Sequence, residues 1–292
     1  MAVGMAVGRW QLGRTTTAGV GQSAVGTKAG IRFALPDSRL PPDRPTADRP
    51  TASVAFFDLD GTLARGHMII DFPSHLLSCG LFLKGKHEQI AQMKQDLRSG
   101  RQSYRYVAEH LPALYAEGIR GQKEQAVSLQ AEKFVEWRMD HVFPYAKELV
   151  GLMRESGRPA VAISGSPEDT VRALARRLGM DAAFGTRLEV KAGRFTGKVL
   201  HNFILQETKK AFFEELLEKL DLDAPSCFGF GDTEQDVSFL GGVGHPVALN
   251  PSTELRAIAL SKGWHIFETD DGVVAEVKKL LGNSDDVQGK VH

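Results

Sequence analysis

The chain is poor in cysteine. Only Cys79 and Cys227 occur among its 292 residues, which is too few for a disulfide framework, and their separation matches no zinc-site spacing. This scarcity favours a reducing compartment, so the cytoplasm is the predicted location. We expect both thiols to behave as small buried hydrophobic side chains.

An excess of charge of either sign is missing too. The 36 Lys and Arg residues balance the 36 Asp and Glu residues, which removes any overall electrostatic attraction to nucleic acid. No segment reaches the roughly 18 consecutive apolar residues of a membrane-spanning helix. We therefore predict no nucleic-acid partner, no membrane span and a small-molecule substrate. Hydrophobic residues make up 42% of the chain, which suits a buried core and a second module.

The amino-terminal segment has no acidic residue before position 33. Residues 1–52 are rich in Gly, Ala, Thr and Pro and show no periodic apolar face. We interpret them as a disordered tail or an over-extended translation start, with a targeting segment as the alternative. The proline-rich run at 42–50 is typical of an extended linker, so the folded part is predicted to begin near Ser53.

Short apolar runs that end in polar residues are typical of buried parallel strands. Such runs precede Asp58, Ser164 and Asp232. The predicted strands cover residues 54–57, 160–163, 227–230, 247–249 and 265–267. The helices predicted between them cover residues 146–156, 167–178 and 208–220. This alternation predicts an α/β fold with a doubly wound parallel sheet, which binds ligands at the carboxyl ends of its strands.

Two insertions interrupt the alternation. Asp58 and Ser164 lie much further apart than a single crossover helix requires, and the residues between them favour helix. We predict that residues 69–139 form a helical-bundle cap over the strand ends. A small β-hairpin is predicted at 187–200. The core is then expected to cover 53–68 and 140–282, and a tail to cover 283–292.

Four motifs follow one another in a fixed order. They are Asp58-Leu59-Asp60-Gly61-Thr62, Ser164-Gly165-Ser166, Lys209, and Gly231-Asp232-Thr233-Glu234-Gln235-Asp236. Together they resemble the haloacid dehalogenase (HAD) superfamily of hydrolases over residues 54 to about 270. The helical insertion, the hairpin and Lys209 are most similar to subfamily IB, which contains phosphoserine phosphatase. Three pairs are similar to a less characterised hydrolase group of that branch: Asn250-Pro251, Leu255-Arg256 and Gly263-Trp264.

The resemblance implies a Mg²⁺-dependent phosphomonoester hydrolase that works through an aspartyl-phosphate. A carboxylate that attacks phosphorus must overcome repulsion between two anions, so it needs a cation beside it. Asp58 is the expected nucleophile, and Asp60 the expected general acid and base. Asp58, Asp232 and, as the resemblance implies, the backbone carbonyl of Asp60 are the expected Mg²⁺ ligands. Asp236 is expected to orient this ligand set.

The phosphate is expected to bind Ser164, the backbone amides around Gly165 and the amino end of the next helix. Ser166 is the predicted N-cap of that helix, ahead of Pro167 at its first position. Lys209 is expected to neutralise the phosphate. Lys210 competes for this role, because adjacent helical residues differ by about 100° in direction and only one can point inward.

The substrate is less well defined by the sequence. His67 lies where phosphoserine phosphatases carry a glutamate that recognises the substrate amine, so the chain departs from that pattern. His67 either contacts a different substrate or is structural, and Arg101 and Arg105 either clamp a carboxylate or are solvated helix charges. Phosphoserine, histidinol phosphate and a lipid head-group phosphate all stay open as substrates.

Other classes of function are also compatible with parts of the sequence. The chain could be a phosphate-binding protein that has lost turnover, or an interaction protein tethered through its amino-terminal segment. Hydrolysis of a carbon–halogen bond needs no Mg²⁺ and would leave the arrangement of Asp60 and Asp232 unexplained. The full set of catalytic residue types favours the phosphatase.

Overall fold

The computed structural model describes residues 52–268 and 272–288. Its strands are β1 Ala55–Phe57, β2 Ala160–Pro167, β3 Ala182–Lys191, β4 Arg194–His201, β5 Phe228–Gly231, β6 His245–Leu249 and β7 His265–Phe267. They form one seven-stranded sheet in the order β4-β3-β2-β1-β5-β6-β7. Every neighbouring pair is parallel except β3 and β4. The predicted α/β fold with a mostly parallel sheet is confirmed.

Helices connect most of the parallel strands. Five lie between β1 and β2: the four inserted helices α1 Met68–Ser78, α2 Lys84–Arg98, α3 Tyr104–Gly118 and α4 Glu124–Trp137, and then α5 Ala146–Glu155. The others are α6 Glu168–Leu178, α7 Gln206–Lys219, α8 Val237–Leu240, α9 Thr253–Lys262 and α10 Val273–Gln288. The last helix continues past residue 282, where a tail was predicted. The predicted amino-terminal tail, 1–52, lies outside the described residues except for Ala52.

The central strand β1 shows why the sheet is covered on both faces. Successive side chains of a strand point to opposite faces, and both Phe56 and Phe57 are fully buried. Phe56 packs edge-on against Phe213 of α7, with ring centroids 5.1 Å apart. Phe57 stacks on Phe230 of β5 at 4.6 Å and belongs to the main apolar cluster, which also includes residues of α5 and α10. A strand buried on both faces explains the continuous apolar run.

The four inserted helices have an aromatic core of their own. Phe72 of α1 lies 5.0 Å from Phe134 of α4, between ring centroids, and 6.5 Å from Tyr115 of α3. The Arg138 guanidinium lies over the Phe134 ring at 5.3 Å and donates to Asp71 Oδ2 at 2.7 Å. The helical character predicted for 69–139 matches these helices, while the division into core and cap stays a prediction.

The predicted hairpin is present as β3 and β4. Its turn residues, Ala192 and Gly193, both have positive φ, 49° and 71°, as a tight two-residue hairpin turn requires. The hairpin also supports the inserted helices: the Gly121 amide donates to Phe195 O at 2.8 Å, and the Glu124 amide donates to Gly193 O at 2.9 Å.

The two cysteines differ in environment. Cys227 is buried, as expected, and its sulfur accepts a hydrogen bond from the Val54 amide at 3.4 Å. Cys79 is exposed, so the prediction was wrong for this residue. It directly follows α1 and lies at the surface of the inserted helices. Across 52–268 and 272–288, no helix has the length and apolar character needed to cross a membrane.

Replacing Phe134 tests the aromatic core of the inserted helices. Phe134 is 1% exposed, so we expect Phe134→Ala to lower the free energy of unfolding by about 3–5 kcal/mol. The matched control on the same helix is Leu129→Ala, because Leu129 is 55% exposed and should change stability by about 0.5 kcal/mol or less. Urea denaturation of both variants measures the difference. Equal effects would contradict this packing.

Candidate active site

The carboxyl ends of the central strands carry the polar residues that the sequence analysis singled out. Asp58 follows β1, Asp232 follows β5, and Ser164 lies in β2 on the other side of β1. Because these strands are parallel neighbours, their carboxyl ends meet at one edge of the sheet. All three side chains are buried there.

Lys209 of α7 joins this group. Its Nζ lies 3.0 Å from Asp58 Oδ1 and 2.8 Å from Asp236 Oδ1, and the residue is 3% exposed. Lys210 faces outward and pairs with Glu214 at 3.6 Å. The structure therefore places Lys209 in the site and Lys210 on the surface. The sequence alone left open which of these two lysines points inward.

Asp236 is held from two sides. Its Oδ1 accepts the hydrogen bond from Lys209. Its Oδ2 accepts hydrogen bonds from the backbone amides of Asp232 and Thr233, both at 3.1 Å. Asp236 thereby connects the lysine to the loop that carries Asp232.

The loop after β1 approaches Asp232 closely. Thr62 Oγ1 donates to Asp232 Oδ1 at 2.8 Å. Gly61 has a φ of +92°, and a Cβ at this position would lie 1.9 Å from Asp232 Oδ2. Both the backbone conformation and the space therefore require glycine here.

The Asn250 segment supports the same two loops. The Ser252 amide donates to Asp232 O at 2.7 Å. The Asn250 side chain donates to the Tyr145 hydroxyl at 3.3 Å, and that hydroxyl donates to Thr62 O at 2.7 Å. The Asn250-Pro251 pair noted in the sequence therefore lies directly behind the site.

Three carboxylates lie close together, and two of them contact the ammonium group of Lys209. Burial, together with the charges of Asp236 and Asp60, raises the pKa of Asp58 to about 8 despite the opposing effect of Lys209. Burial and then the charges of Asp236 and Asp58 raise the pKa of Asp232 well above its ordinary range. Burial alone would lower the pKa of Lys209, but Asp236 and Asp58 raise it. The raised pKa values therefore favour the protonated forms of Asp58 and Asp232 in the metal-free protein, and a bound cation would displace those protons.

This donor set fits a divalent cation. Asp58, Asp232 and Asp236 each offer a carboxylate oxygen, and these atoms lie within 4.8 Å of one another. Mg²⁺ prefers hard oxygen donors of this kind. The cluster includes Asp236, which was expected to orient the ligands, while the contribution expected from Asp60 is its backbone carbonyl rather than its side chain.

The Asp60 carboxylate faces the start of α1. It accepts the Met68 amide at 3.3 Å through either oxygen and a hydrogen bond from the Ser166 hydroxyl. Burial raises the Asp60 pKa, while the His67 charge and the Ser166 hydrogen bond oppose the increase. A raised pKa favours the protonated form, which suits a group that donates a proton.

Ser166 was expected to cap α6, and this prediction was wrong. The residue before α6 is Pro167, which makes no side-chain cap bond. The Ser166 hydroxyl donates to Asp60 and accepts the Ile69 amide at 3.0 Å. β2 continues to Pro167, so Ser166 belongs to the strand rather than to the helix start.

Ser164 and Gly165 lie at the cavity wall. Ser164 Oγ accepts the Ser166 amide at 3.3 Å. A Cβ on Gly165 would lie 2.9 Å from Ile204 Cγ1, so the loop after β4 leaves no room for a side chain. This close approach explains the glycine in the Ser-Gly-Ser motif.

A cavity of about 160 Å³ lies above the cluster. Most predicted site residues line it: Asp58, Asp60, His67, Ser164, Gly165, Lys209 and Asp236. Within the described ranges, Arg105 is absent from the lining. It pairs instead with Glu109 and, at 2.8 Å, with Glu207 on α7, which matches the solvated-charge alternative.

Two site residues escaped the sequence reasoning. Thr62 was quoted in its motif, but no role was assigned to it, although it hydrogen-bonds Asp232. Tyr104, at the start of α3, lines the cavity and is 43% exposed. The position of Thr62 next to Gly61 in the first motif was a sequence signal for its role. Tyr104 had no such signal, because its position depends on how the inserted helices fold back.

The sequence profile of haloacid dehalogenase-like hydrolases matches residues 55–241. The chain belongs to this family. The matched region contains all four HAD motifs, and the resemblance noted from the sequence is confirmed.

Relatives of this HAD hydrolase carry phosphatase names. A phosphoserine phosphatase of Mycobacterium tuberculosis is 29% identical over 73% of this chain and 70% of its own length. A histidinol-phosphatase of Neisseria meningitidis is 28% identical over 73% of this chain and 97% of its own. A Bordetella pertussis protein of unknown function shares the fold, with a TM-score of 0.62, 22% identity and coverage of 74% and 98%.

The buried lysine can be tested against its neighbour. Lys209→Met leaves Asp58 and Asp236 without their counter-ion, so we expect a loss of about 3–5 kcal/mol in the free energy of unfolding. Lys210→Met is the control, because the exposed Lys210 pair should contribute about 1 kcal/mol or less. Urea denaturation at neutral pH compares the two. A loss in Lys210→Met as large as in Lys209→Met would contradict the arrangement.

The carboxylate cluster predicts a pH-dependent response to Mg²⁺. Because the folded-state pKa of Asp58 is raised from 3.8 to about 8, the metal-free folded protein binds more protons than the unfolded chain in that interval. Its stability should therefore fall as the pH rises through the interval. Mg²⁺ replaces those protons, so it should raise the melting temperature more near pH 8 than near pH 5.

Thermal unfolding with Mg²⁺ or with a chelator measures this response. Asp58→Asn is the informative variant, because it removes one carboxylate and should reduce the Mg²⁺ effect near pH 8. An equal Mg²⁺ effect at both pH values would contradict the cluster as the binding site.

Proposed function

We propose that this protein is a Mg²⁺-dependent phosphomonoester hydrolase that acts through an aspartyl-phosphate on Asp58. One observation carries the proposal: Lys209 bridges Asp58 and Asp236, with Asp232 beside them, at the floor of a cavity. A phosphoryl group entering there meets a carboxylate nucleophile, an ammonium group and a set of metal-binding oxygens. The names of the relatives support the same reaction class.

In the first half-reaction, a carboxylate oxygen of Asp58 attacks phosphorus and the bond between phosphorus and the ester oxygen breaks. Asp60 gives its proton to the departing alcohol. The raised pKa of Asp60 supports this role, because it keeps a larger fraction of the carboxyl protonated. Ser166 and the Met68 amide hold the Asp60 carboxyl in one orientation.

In the second half-reaction, water attacks the phosphorus of the aspartyl-phosphate. Asp60, now ionised, accepts a proton from that water, and phosphate leaves with Asp58 restored as a carboxylate. Lys209 and Ser164 bind the phosphate oxygens in both steps. Lys209 contributes more in this buried site than it would in water, because the local dielectric is low.

Asp58 and Asp232, with the backbone carbonyl of Asp60, are the residues proposed to hold Mg²⁺. The ion supplies positive charge that lowers the repulsion between Asp58 and the phosphate. Asp236 is the positioning residue, because it anchors both Lys209 and the Asp232 loop. The closeness of the Asp58 and Asp232 carboxyl oxygens supports this assignment.

The proposal is tested by phosphate release from a panel of phosphomonoesters, with Mg²⁺ or with a chelator. We expect many turnovers per protein with Mg²⁺ and almost none with chelator. Asp58→Asn should lower kcat/KM by roughly a thousandfold or more, because it removes the nucleophile.

Asp140→Asn is the matched control. The Asp140 side chain is 79% exposed, so this variant should keep the wild-type rate. Stoichiometric phosphate binding without turnover would instead support a phosphate-binding protein. Turnover that persists in Asp58→Asn would contradict the covalent mechanism.

A further inference from the structure

The cavity above Lys209 has two chemically different halves. Its floor holds the charged residues of the core. Its upper wall is largely apolar and is built by Ile70, Leu97, Val107 and Leu111 from the inserted helices, with Phe203 and Ile204 from the loop after β4. A phosphomonoester with its phosphate at the floor would place its alcohol part against this wall.

Arg101 and Arg105, the two basic residues that could have clamped a carboxylate, form ion pairs and do not line the cavity. Arg101 pairs with Asp96 at 2.7 Å, and Arg105 pairs with Glu207 at 2.8 Å. Within the described residues, His67 is the one basic side chain that the segment between β1 and β2 contributes to the lining, and no acidic side chain of α1–α4 reaches it. The wall therefore offers no carboxylate to an ammonium group and no permanent cation to a carboxylate.

We propose that the alcohol released by this enzyme is apolar at its far end, an alkyl or aryl alcohol rather than an amino acid or amino alcohol. This inference rests on the proposed function and specifies its substrate class. Apolar groups gain from burial against Leu97 and its neighbours. A charged group there would lose its hydration without finding a partner.

The carboxylates at the floor do not remove this selectivity. Asp236 is engaged by Lys209 and by two backbone amides, and Asp60 is engaged by Ser166 and the Met68 amide. An amine placed several atoms beyond the ester oxygen points away from both and toward the apolar wall. Leu97 and Val107 are thus the residues assigned to specificity.

The first test measures binding of three phosphonates of matched length to the full chain with Mg²⁺. These are butylphosphonate, 3-aminopropylphosphonate and 3-phosphonopropanoate, whose chains of equal length end in a methyl, an ammonium or a carboxylate group. Calorimetry should give a Kd for butylphosphonate that is lower than either other value by about tenfold or more. Equal or tighter binding of a charged phosphonate, or no binding of butylphosphonate, would overturn the inference.

The second test changes the wall. Leu97 is half-buried, so Leu97→Glu can place a carboxylate at the cavity without disrupting the core. We expect the preference for butylphosphonate over 3-aminopropylphosphonate to fall by about tenfold or to invert. Leu83→Glu is the matched control, because Leu83 is 53% exposed, and it should keep the wild-type preference. An unchanged preference in Leu97→Glu would overturn the assignment of Leu97.

Turnover of n-butyl phosphate and 3-aminopropyl phosphate separates this inference from the proposed function. Faster hydrolysis of the butyl ester supports both. Faster hydrolysis of the aminopropyl ester overturns the substrate class and leaves the phosphatase proposal intact. If the protein hydrolyses neither these esters nor any other phosphomonoester, the proposed function is overturned. The phosphonate affinities still report whether the wall is selective.

Discussion

Crowding of three buried carboxylates around one ammonium group is the constraint on which this structure depends. Asp58, Asp232 and Asp236 lie close enough to repel one another, and Lys209 contacts two of them directly. Removing such charges from water is costly unless they are paired. The surrounding fold therefore has to hold each group in place. The raised pKa values that result favour protons on Asp58 and Asp232, which a cation would displace on binding.

The sheet provides most of the contacts that hold these charged groups in place. Parallel pairing of β1 with β5 brings the residues that follow them to one edge, and α7 packs against β1 through Phe213, which fixes the helix that carries Lys209. Gly61 lets the loop after β1 come close to Asp232. The inserted helices then add a largely apolar wall above a charged floor. A low dielectric at the floor strengthens the electrostatic contacts, and the wall provides selectivity.

Much of this arrangement could be predicted from the sequence, because strand-end motifs depend on local patterns. The apolar runs before Asp58, Ser164 and Asp232 identified the strands. Parallel pairing of these strands then brings the three residues to one edge of the sheet. Features set by long-range packing could not be predicted. Ser166 has the sequence of a helix cap but lies in β2 and hydrogen-bonds Asp60. Arg105 and Tyr104 are neighbours in sequence, yet only Tyr104 faces the cavity, since the fold-back of α3 decides their directions.

Covalent phosphorylation of Asp58 is the central claim, and acid-quenched turnover tests it most directly. A phosphomonoester that the enzyme hydrolyses with Mg²⁺ is mixed with the protein, the reaction is stopped with acid within the first turnover, and the peptides are mapped by mass spectrometry. The account predicts one phosphoryl group on the peptide that contains Asp58, located on that residue. Phosphate release with no phosphorylated peptide, or with the phosphoryl group on a different residue, would contradict it.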